Sequence, residues 1–500
     1  MPLGALKVAM LGAAGTGGEA GWIAVFDPDI TGWSYNNVAF PALDSSNNVV
    51  LAGSGWDGSV YGSWVAKIDT ETPSISYVKE LGGGATYVGG CSVRGVSDDI
   101  YIDGYDNASS PVGMWRTKLN SSTVEQWFGC NSSDQLLYRS SAGATYGNTS
   151  ARVYLSPDGT KGIQQIYGLA SGNYVAMAAP FDTADGEEWA SGSSDPIIDF
   201  GTSQGMYVNT CAINNTNQFF IWRGYHTSYG NYMNVIIKSN NKDLTAASAV
   251  GMRINMSGDG TMGGDSMFNS VSAPYNLVGN NDRYPFAGQP AYGTYVGKAC
   301  FQRWNHALGW NTFDMGYQFT VNASDSPATP TQVQPTGMCF DSTDTACYMS
   351  FRDNGNTPSQ QYVAKFTPDT SSTTVQWQNK IFIYKTADGY GSLSDSQYFE
   401  HPVLLDSNEE FIYLAGAGSH AGANQKEIII MKLPVDGTGT GTYVVGDYTI
   451  VYGTSNMTGN QADIVGSDTG NTFTNVAPYE ANTYSRSQIT ETGTITASDI

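Results

Sequence analysis

The sequence predicts an all-β fold built from seven copies of one four-stranded unit. Three observations support this prediction: a glycine-rich composition, a strand motif that recurs along the chain, and a lack of long segments with helical periodicity. Glycine is 59 of 500 residues, about 12% against a usual ~7%. Because glycine supplies the positive φ angles of tight turns, this composition favours many short strands.

The recurring motif is a strand that ends in valine, alanine, lysine and an apolar residue. SWVAKIDTETPSISYV (63–78) and QYVAKFTPDTSSTTVQW (361–377) show it best. Related runs place a lysine at six positions: Lys67, Lys118, Lys238, Lys298, Lys365 and Lys432. The second gap is double, and NYVAMAAPFDTADG (173–186) fits there without the lysine. The 365 residues between the first and last lysine then divide into six steps of about 61, which makes seven copies.

Each copy also has a hairpin before the lysine strand and a short strand after it. The hairpins carry Asp, Asn, Ser or Gly at the turn between apolar β-formers; they lie at 41–55, 95–105, 154–168, 213–225, 340–351 and 404–418. The last strand often contains tryptophan: Trp127, Trp189, Trp310 and Trp377. Residues 251–290 show no clean hairpin, so we expect an insertion or a distorted fifth unit.

Seven four-stranded antiparallel units predict a seven-bladed β-propeller, because blades stacked in a ring bury faces that one blade leaves exposed. A linear solenoid is the competing arrangement, although its repeats are usually shorter. We divide the chain into a Gly/Ala-rich arm with a candidate ring-closing strand (1–37), the propeller (38–453) and a polar C-terminal extension (454–500). The extension is either loose or ordered by pairing with a neighbouring chain. GWIAVF (21–26) and TYVVGDYTIVYG (442–453) compete to complete the last blade, and the sequence leaves this choice open.

Charge and cysteine content narrow the range of partners. The chain has 23 basic and 45 acidic residues and a formal net charge of −22. Such a surface repels phosphate, so we predict no nucleic-acid binding and no membrane insertion. The absence of CxxC and the presence of only four histidines argue against a zinc site. Cys339 and Cys347 flank a predicted hairpin turn and form either a disulfide or two buried thiols.

The N-terminal stretch and the motif lysines each have two interpretations. Residues 1–21 resemble a secretory signal, but Lys7 lies inside the apolar run, which favours an anchoring arm. The motif lysines would form a functional ring of charges or, more simply, pack their stems and extend their amino groups to water. We favour the second interpretation.

The repeats resemble the seven-bladed β-propeller repeats of bacteriophage tail and virion proteins, which also occur in bacterial secreted proteins. LDSSNNVVLAG (43–53), WVAKID (64–69) and LLDSNEEFIYLAG (404–416) carry the resemblance, which spans roughly residues 20–452. It implies a structural protein of the virion, associated with the tail and present in several symmetric copies. The partners it implies are other virion subunits and a host surface polysaccharide or receptor. The location is the virion exterior or otherwise the extracellular space. No catalytic residue comes with the resemblance.

The best candidate for ligand contact is the loop GYHTSYGNY (224–232). Tyr225, His226 and Tyr229 suit stacking on sugar rings, with packing between blades as the alternative role. No nucleophile–base or metal constellation is recognisable, so we predict that the protein is not an enzyme and needs no cofactor. The loops 182–188 and 257–265 match a calcium loop only in part, which leaves a structural Ca²⁺ as an option.

Two other functions remain open. A secreted carbohydrate-active propeller enzyme would need a carboxylate pair ~5–10 Å apart. A bacterial cell-surface binding protein would need a signal peptide.

Overall fold

In the part of the chain that the computed structural model describes, every regular element is a β-strand and neighbouring strands pair antiparallel. The described residues are 21–30, 35–56, 58–59, 61–81, 86–94, 97–106, 113–128, 135–139, 144–145, 152–155, 159–170, 173–186, 197–199, 208–213, 219–223, 235–239, 247–256, 283–288, 298–305, 313–321, 333–343, 345–353, 360–368, 374–385, 389–391, 403–417, 427–461, 464–468, 474–476, 478–483, 489–491 and 493–500.

The first half of the chain forms four sheets, which we number in chain order. A separate N-terminal strand, β1 (Trp22–Asp27), comes first. Sheet 1 consists of β2 (Tyr35–Leu43), β3 (Val49–Trp56), β4 (Tyr61–Asp69) and β5 (Ser74–Glu80). Sheet 2 consists of β6 (Thr86–Arg94), β7 (Asp99–Asp106), β8 (Gly113–Leu119), β9 (Glu125–Phe128) and β10 (Gln135–Arg139). Sheet 3 consists of β11 (Ala144–Thr145), β12 (Arg152–Leu155), β13 (Lys161–Ala170) and β14 (Asn173–Asp182), and β15 (Ile197–Asp199) packs against β14. Sheet 4 consists of β16 (Val208–Ile213), β17 (Phe219–Arg223), β18 (Val235–Ser239) and β19 (Ala247–Met256).

The second half forms three more sheets. Sheet 5 consists of β20 (Arg283–Gly288), β21 (Lys298–Asn305) and β22 (Phe313–Thr320). Sheet 6 consists of β23 (Val333–Phe340), β24 (Cys347–Asp353), β25 (Gln360–Thr367), β26 (Thr374–Lys385) and β27 (Gly389–Gly391). Sheet 7 begins with β28 (Leu404–Leu405), β29 (Phe411–Ala417) and β30 (Ile428–Pro434). The chain ends with β31 (Gly441–Val445), β32 (Tyr448–Thr454), β33 (Thr458–Gln461), β34 (Ile464–Asp468), β35 (Thr474–Val476), β36 (Pro478–Thr483), β37 (Ile489–Glu491) and β38 (Thr494–Asp499).

The sheets follow one another around a ring, which is the arrangement of a β-propeller. The inner strand β2 of sheet 1 packs against β6 of sheet 2 on one side and against β29 of sheet 7 on the other. The apolar core consists of clusters between successive sheets, such as the one that joins Trp22 and Tyr413 to Trp64 and Val49 across sheets 7 and 1. The all-β propeller class predicted from the sequence is therefore confirmed. Seven described sheets have three or more strands of their own, and the blade number itself stays a prediction of the repeat.

Two of the lysine motifs occupy the same place in their sheets. WVAKID lies in β4 and YVAKF in β25, each third in the order of its sheet, as the repeat predicts. Lys298 begins β21, which lies between β20 and β22 in sheet 5. The residues just before β20 lie outside the described residues, so the assignment of Lys298 to a third strand stays a prediction.

The N-terminal strand β1 closes the ring. It pairs with β30 as the fourth strand of sheet 7, and Trp22 lies opposite Lys432 just as Trp377 lies opposite Lys365 in sheet 6. The competing segment forms the β31–β32 hairpin, which extends sheet 6 through pairing of β32 with β26. Two strands cannot occupy the same edge of β30, so the choice that the sequence left open is resolved in favour of residues 21–26.

The C-terminal segment runs around the outside of the ring in the direction opposite to the sheet numbering. Its strands β33, β34, β35, β36, β37 and β38 pair in turn with β22, β19, β15, β10, β5 and β1. Neither a loose extension nor pairing with another chain describes these strands. The physical reason is that each sheet presents an unpaired outer edge, and a polar strand from the same chain satisfies its backbone groups without needing large apolar side chains.

Cys339 and Cys347 are free and buried. In the β23–β24 ladder, Cys339 lies opposite Tyr348, and Cys347 lies opposite Phe340. The two cysteines therefore face different partners, and the alternative of two buried thiols is the correct one.

Candidate functional site

The predicted contact residues Tyr225, His226 and Tyr229 lie outside the described residues. Their flanking strands are β17 and β18, which are second and third in the order of sheet 4 and pair directly at Arg223 and Val235. The connection between β17 and β18 therefore starts at one end of these strands. The β16–β17 turn, where Ile213 pairs with Phe219, lies at the other end. Their role as ligand contacts stays a prediction.

Aspartates organise the turns between first and second strands. The Oδ1 of Asp44 accepts hydrogen bonds from the backbone N–H groups of Ser46 at 2.9 Å and Asn48 at 2.8 Å. Its Oδ2 lies 2.5 Å from Lys67 Nζ. Burial opposes ionisation of Asp44, but the bonds from Lys67 and Asn48 outweigh it and lower the pKa of this carboxyl. Asp341 and Asp406 cap their own turns in the same way.

The motif lysines whose side chains are described take part in the structure of the sheets. Lys67 and Lys118 form ion pairs with Asp44 and Asp99, at 2.5 Å and 2.8 Å. Lys365 lies over the ring of Tyr348, 5.1 Å from its centroid. Lys432 is only 2% exposed and donates to the carbonyl oxygen of Thr70 at 3.3 Å. These contacts favour the structural interpretation of the lysines over a functional ring.

A first repeated contact joins the turn of one sheet to the turn of the next. The residue that follows the turn aspartate donates its backbone N–H to a side chain in the corresponding turn of the next sheet. The accepting residue lies three positions into that turn and has a left-handed backbone conformation. The left-handed residues have φ values of 63°, 54° and 59° at Asn47, Asp98 and Glu409. The three described bonds are Ser342 to Glu409 at 2.6 Å, Ser407 to Asn47 at 2.9 Å and Ser45 to Asp98 at 2.8 Å. They link sheets 6, 7, 1 and 2 in succession.

A second repeated contact comes from the tryptophan of the fourth strand. Its indole N–H donates to a backbone carbonyl in the turn that follows the third strand of the next sheet. The three described bonds are Trp377 to Val435 at 2.8 Å, Trp22 to Thr70 at 3.0 Å and Trp127 to Thr183 at 3.2 Å. Two of these turns place a glycine against the indole, Gly437 at Trp377 and Gly186 at Trp127, where a Cβ would collide with the ring. The fourth-strand tryptophans therefore join one blade to the next.

Sheet 1 has a tyrosine in place of this tryptophan. Tyr77 lies opposite Lys67, as Trp127 lies opposite Lys118. Its hydroxyl is buried and has no hydrogen-bond partner in the part of the structure that is described. Burial raises the pKa of Tyr77, with smaller contributions from Cys91 and Asp44, so the hydroxyl stays protonated. The contact between sheets 1 and 2 thus lacks the bond that an indole makes elsewhere.

A buried polar cluster lies between sheets 2 and 3. Asp103 and Arg116 are both 0% exposed and lie opposite each other in β7 and β8. Arg116 reaches across to sheet 3, where it donates to the side-chain oxygen of Gln164 at 3.3 Å and to the backbone carbonyl of Gly186 at 2.8 Å. Its guanidinium carbon also lies 4.5 Å from the centroid of the Phe181 ring. The cluster holds two blades together and is closed to solvent.

Sequence reasoning missed this cluster, although a comparison of repeats contains its signal. In the matching register of sheet 1, Ala52 pairs with Val65, and in sheet 7 Ala415 pairs with Ile430. Among these three sheets, only sheet 2 has an aspartate and an arginine in place of the apolar pair; the aspartate lies in GVSDDIYIDGY and the arginine in the strand paired with it. Two ionisable residues at facing core positions are unusual, because burying a charge costs free energy unless the charge is paired and hydrogen-bonded.

The calcium option is not resolved. Among the described residues no group of three or more His, Cys, Asp or Glu side chains could hold a metal ion. In the loop 182–188, Asp182 forms an ion pair with Lys161, and the loop 257–265 lies outside the described residues. Within the described part of the chain, no helix is long and apolar enough to cross a membrane.

No protein-family model and no curated protein matches the chain. Solved structures that are similar to it include Kuenenia stuttgartiensis hydrazine synthase, at 12% identity and a TM-score of 0.41 over 78% of this chain and 93% of that one. An oligogalacturonate lyase in complex with manganese matches at 9% identity and a TM-score of 0.41, over 77% of this chain and 86% of that one. Extracellular domains 1–2 of Drosophila Semaphorin 1b match at 7% identity and a TM-score of 0.40, over 83% and 87%. At these identities and TM-scores, none of the likenesses assigns an activity to this chain.

Proposed function

We propose that the protein is a structural component of a bacteriophage virion, associated with the tail, and that it acts there as a rigid platform for protein interaction or host adhesion. One observation carries the proposal: within the described part of the ring, repeated contacts of two kinds join sheets 6, 7, 1, 2 and 3 in succession. The repeat motifs quoted above, which resemble those of phage proteins, give the platform its setting.

The rigidity argument starts from the contacts between blades. Serine-to-turn and indole-to-carbonyl bonds act between sheets 6, 7, 1, 2 and 3, at donor–acceptor distances from 2.6 to 3.2 Å. The C-terminal strands then add a backbone ladder at the outer edges of the sheets. A surface held in this way loses little conformational entropy when it binds, because its binding loops start from fixed strand ends. This property suits an adhesive platform.

The two faces of the ring differ in what they carry. Both ends of the described chain lie at one face, where Ile500 N–H donates to Gly21 O at 2.8 Å beside the turn at Pro434. The candidate contact loop starts from Arg223 and Val235. These residues lie at the end of the strands that is opposite to the turn between the first and second strands of sheet 4. We infer that the disc attaches through the face with the chain ends and presents Tyr225, His226 and Tyr229 to a host polysaccharide on the other.

Purified phage particles test the virion role directly. Mass spectrometry of particles that encode this chain should detect it in stoichiometric amount, and antibodies against the disc should label the tail in electron micrographs. Its absence from particles, together with its presence in the host culture medium, would favour a secreted bacterial protein instead.

Binding to host polysaccharide tests the adhesive role. Substituting Tyr225 and Tyr229 together with alanine should weaken binding at least about tenfold, since stacking contributes roughly 0.5–1.5 kcal/mol per aromatic pair in addition to its buried area. The control is Tyr443→Phe in the β31–β32 hairpin of sheet 6, which should leave binding unchanged. Release of reducing ends during incubation would instead support the carbohydrate-active enzyme.

A further inference from the structure

We propose that the C-terminal strand β38 is a strap that holds the ring-closing strand β1 in place against tension on the N-terminal segment. The N-terminal segment joins the described ring at the strand β1. This strand is the fourth strand of sheet 7 and lies between β30 and β38. A closing strand bound along one edge would be enough to complete the blade, so the second ladder is an additional feature.

The ladder with β38 covers the full length of β1, and the ladder with β30 covers all of it except Asp27. Pairs with β30 run from Trp22 opposite Lys432 to Phe26 opposite Ile428. Pairs with β38 run from Trp22 opposite Asp499 to Asp27 opposite Thr494. Both edges of the strand are therefore satisfied by backbone hydrogen bonds, and removal of β38 would expose one complete edge.

The end of the strap is fixed as well. Ile500 N–H donates to the carbonyl oxygen of Gly21 at 2.8 Å, one residue before β1 begins. The Ile500 side chain packs with the cluster between sheets 6 and 7 and sits directly over Gly439, where a Cβ would collide with it. Gly439 has a φ of +76°, a conformation that favours glycine for a second reason. Ile500 thus secures the point at which the N-terminal segment enters the ring.

The direction of the strands determines how the strap responds to force. A pull on the N-terminal segment away from sheet 7 acts along β1, and the ladders to β30 and β38 then resist together, in shear. A pull between the two chain ends acts differently, because Trp22 and Asp499 are paired at the same end of the ladder. That pull opens one pair at a time. The strap should therefore be strong in the first direction and weak in the second.

The inference rests on the proposed function only for the origin of the tension, which an N-terminal segment bound to a neighbouring virion subunit would supply. The strap itself follows from the pairing of β1. Failure of the virion proposal in particle analysis and failure of the strap in a force measurement are therefore separate results.

Single-molecule force measurement on the full-length protein tests the strap. One handle is attached at the N-terminus, and the other is attached at a peptide tag inserted in the connection 418–426. This connection leads into β30 at Ile428, which pairs with Phe26, so the two handles load β1 from its two ends. At constant force, deletion of residues 493–500 should shorten the lifetime of the β1 attachment at least about tenfold, because about six backbone hydrogen bonds are lost. A lifetime that changes by less than about twofold would overturn the proposal.

A second geometry needs no deletion and so does not depend on the folding of the truncated chain. With handles at the two termini of the intact protein, β38 should separate from β1 at a clearly lower force than the force that extracts β1 in the first geometry. Equal forces in the two geometries would contradict the strap, because a ladder that resists along β1 in shear should open far more easily when it is pulled apart from its Trp22–Asp499 end.

Discussion

Replacement of Trp127 with phenylalanine should destabilise the protein by about 3 kcal/mol, whereas Tyr77→Phe at the equivalent position should cost less than about 0.5 kcal/mol or stabilise slightly. Both substitutions remove one polar hydrogen-bonding group from the fourth strand of a blade. The difference lies in what that group contacts. The indole of Trp127 donates to Thr183 O at 3.2 Å, while the hydroxyl of Tyr77 finds no partner among the described residues.

The magnitude for Trp127→Phe has two parts. Loss of the indole leaves the carbonyl of Thr183 buried without this donor, which costs about 1–3 kcal/mol. The smaller ring also gives up contact with Phe181 and Tyr101, whose ring centroids lie 5.9 and 6.3 Å from that of Trp127. An area of about 40 Å² at ~25 cal/mol per Å² adds about 1 kcal/mol. Tyr77→Phe instead removes a buried polar group that gains nothing from its surroundings, and the volume of the ring is kept.

The assay is urea denaturation followed by far-UV circular dichroism, which does not depend on the fluorescence of the substituted tryptophan. The midpoint should fall for Trp127→Phe and stay level or rise for Tyr77→Phe, with unchanged slope in both. Equal loss of stability in the two variants would refute the reasoning, because it would mean that the indole-to-carbonyl bond makes no specific contribution.

Three further predictions concern other contacts. The single variants Asp103→Ala and Arg116→Val should each lower the free energy of unfolding by about 3–5 kcal/mol. The double variant carries the two residues found at the same positions of sheet 1, and its loss should be clearly smaller than the sum of the single losses. Additive losses in this double-mutant cycle would argue against coupling. The carboxyl of Asp44 has a lowered pKa in the folded protein, so its contribution is complete above its ordinary value of 3.8 and is lost as the pH falls through the folded value. Asp44→Asn should therefore lower stability at neutral pH and reduce the loss seen between pH 5 and pH 2 in urea titrations, and an unchanged acid profile would contradict this. Truncation after Gly453 should lower the melting temperature measured by calorimetry, because it removes six strands from the outer edges of the sheets. An unchanged melting temperature would show that these strand ladders contribute nothing to stability.

The sequence by itself determined the local structure and the repeat. Turn residues such as Asp44 and Asp406, apolar alternation and the Val-Ala-Lys strands act over short distances, so they are legible without knowledge of the fold. The fourth-strand tryptophans also belong to this class, because the likeness of Trp22 to Trp377 was visible and marked residues 21–26 as a candidate closing strand. Even the buried pair Asp103 and Arg116 differs visibly from the apolar residues at the same repeat positions.

Only the tertiary structure decided which strand closes the ring and where the C-terminal segment lies. The β31–β32 hairpin and β1 have similar strand-like sequences, and the choice depends on which one reaches the free edge of β30. The C-terminal strands add to sheet edges through backbone hydrogen bonds, which are nearly independent of side-chain identity, so a polar sequence carries no sign of them.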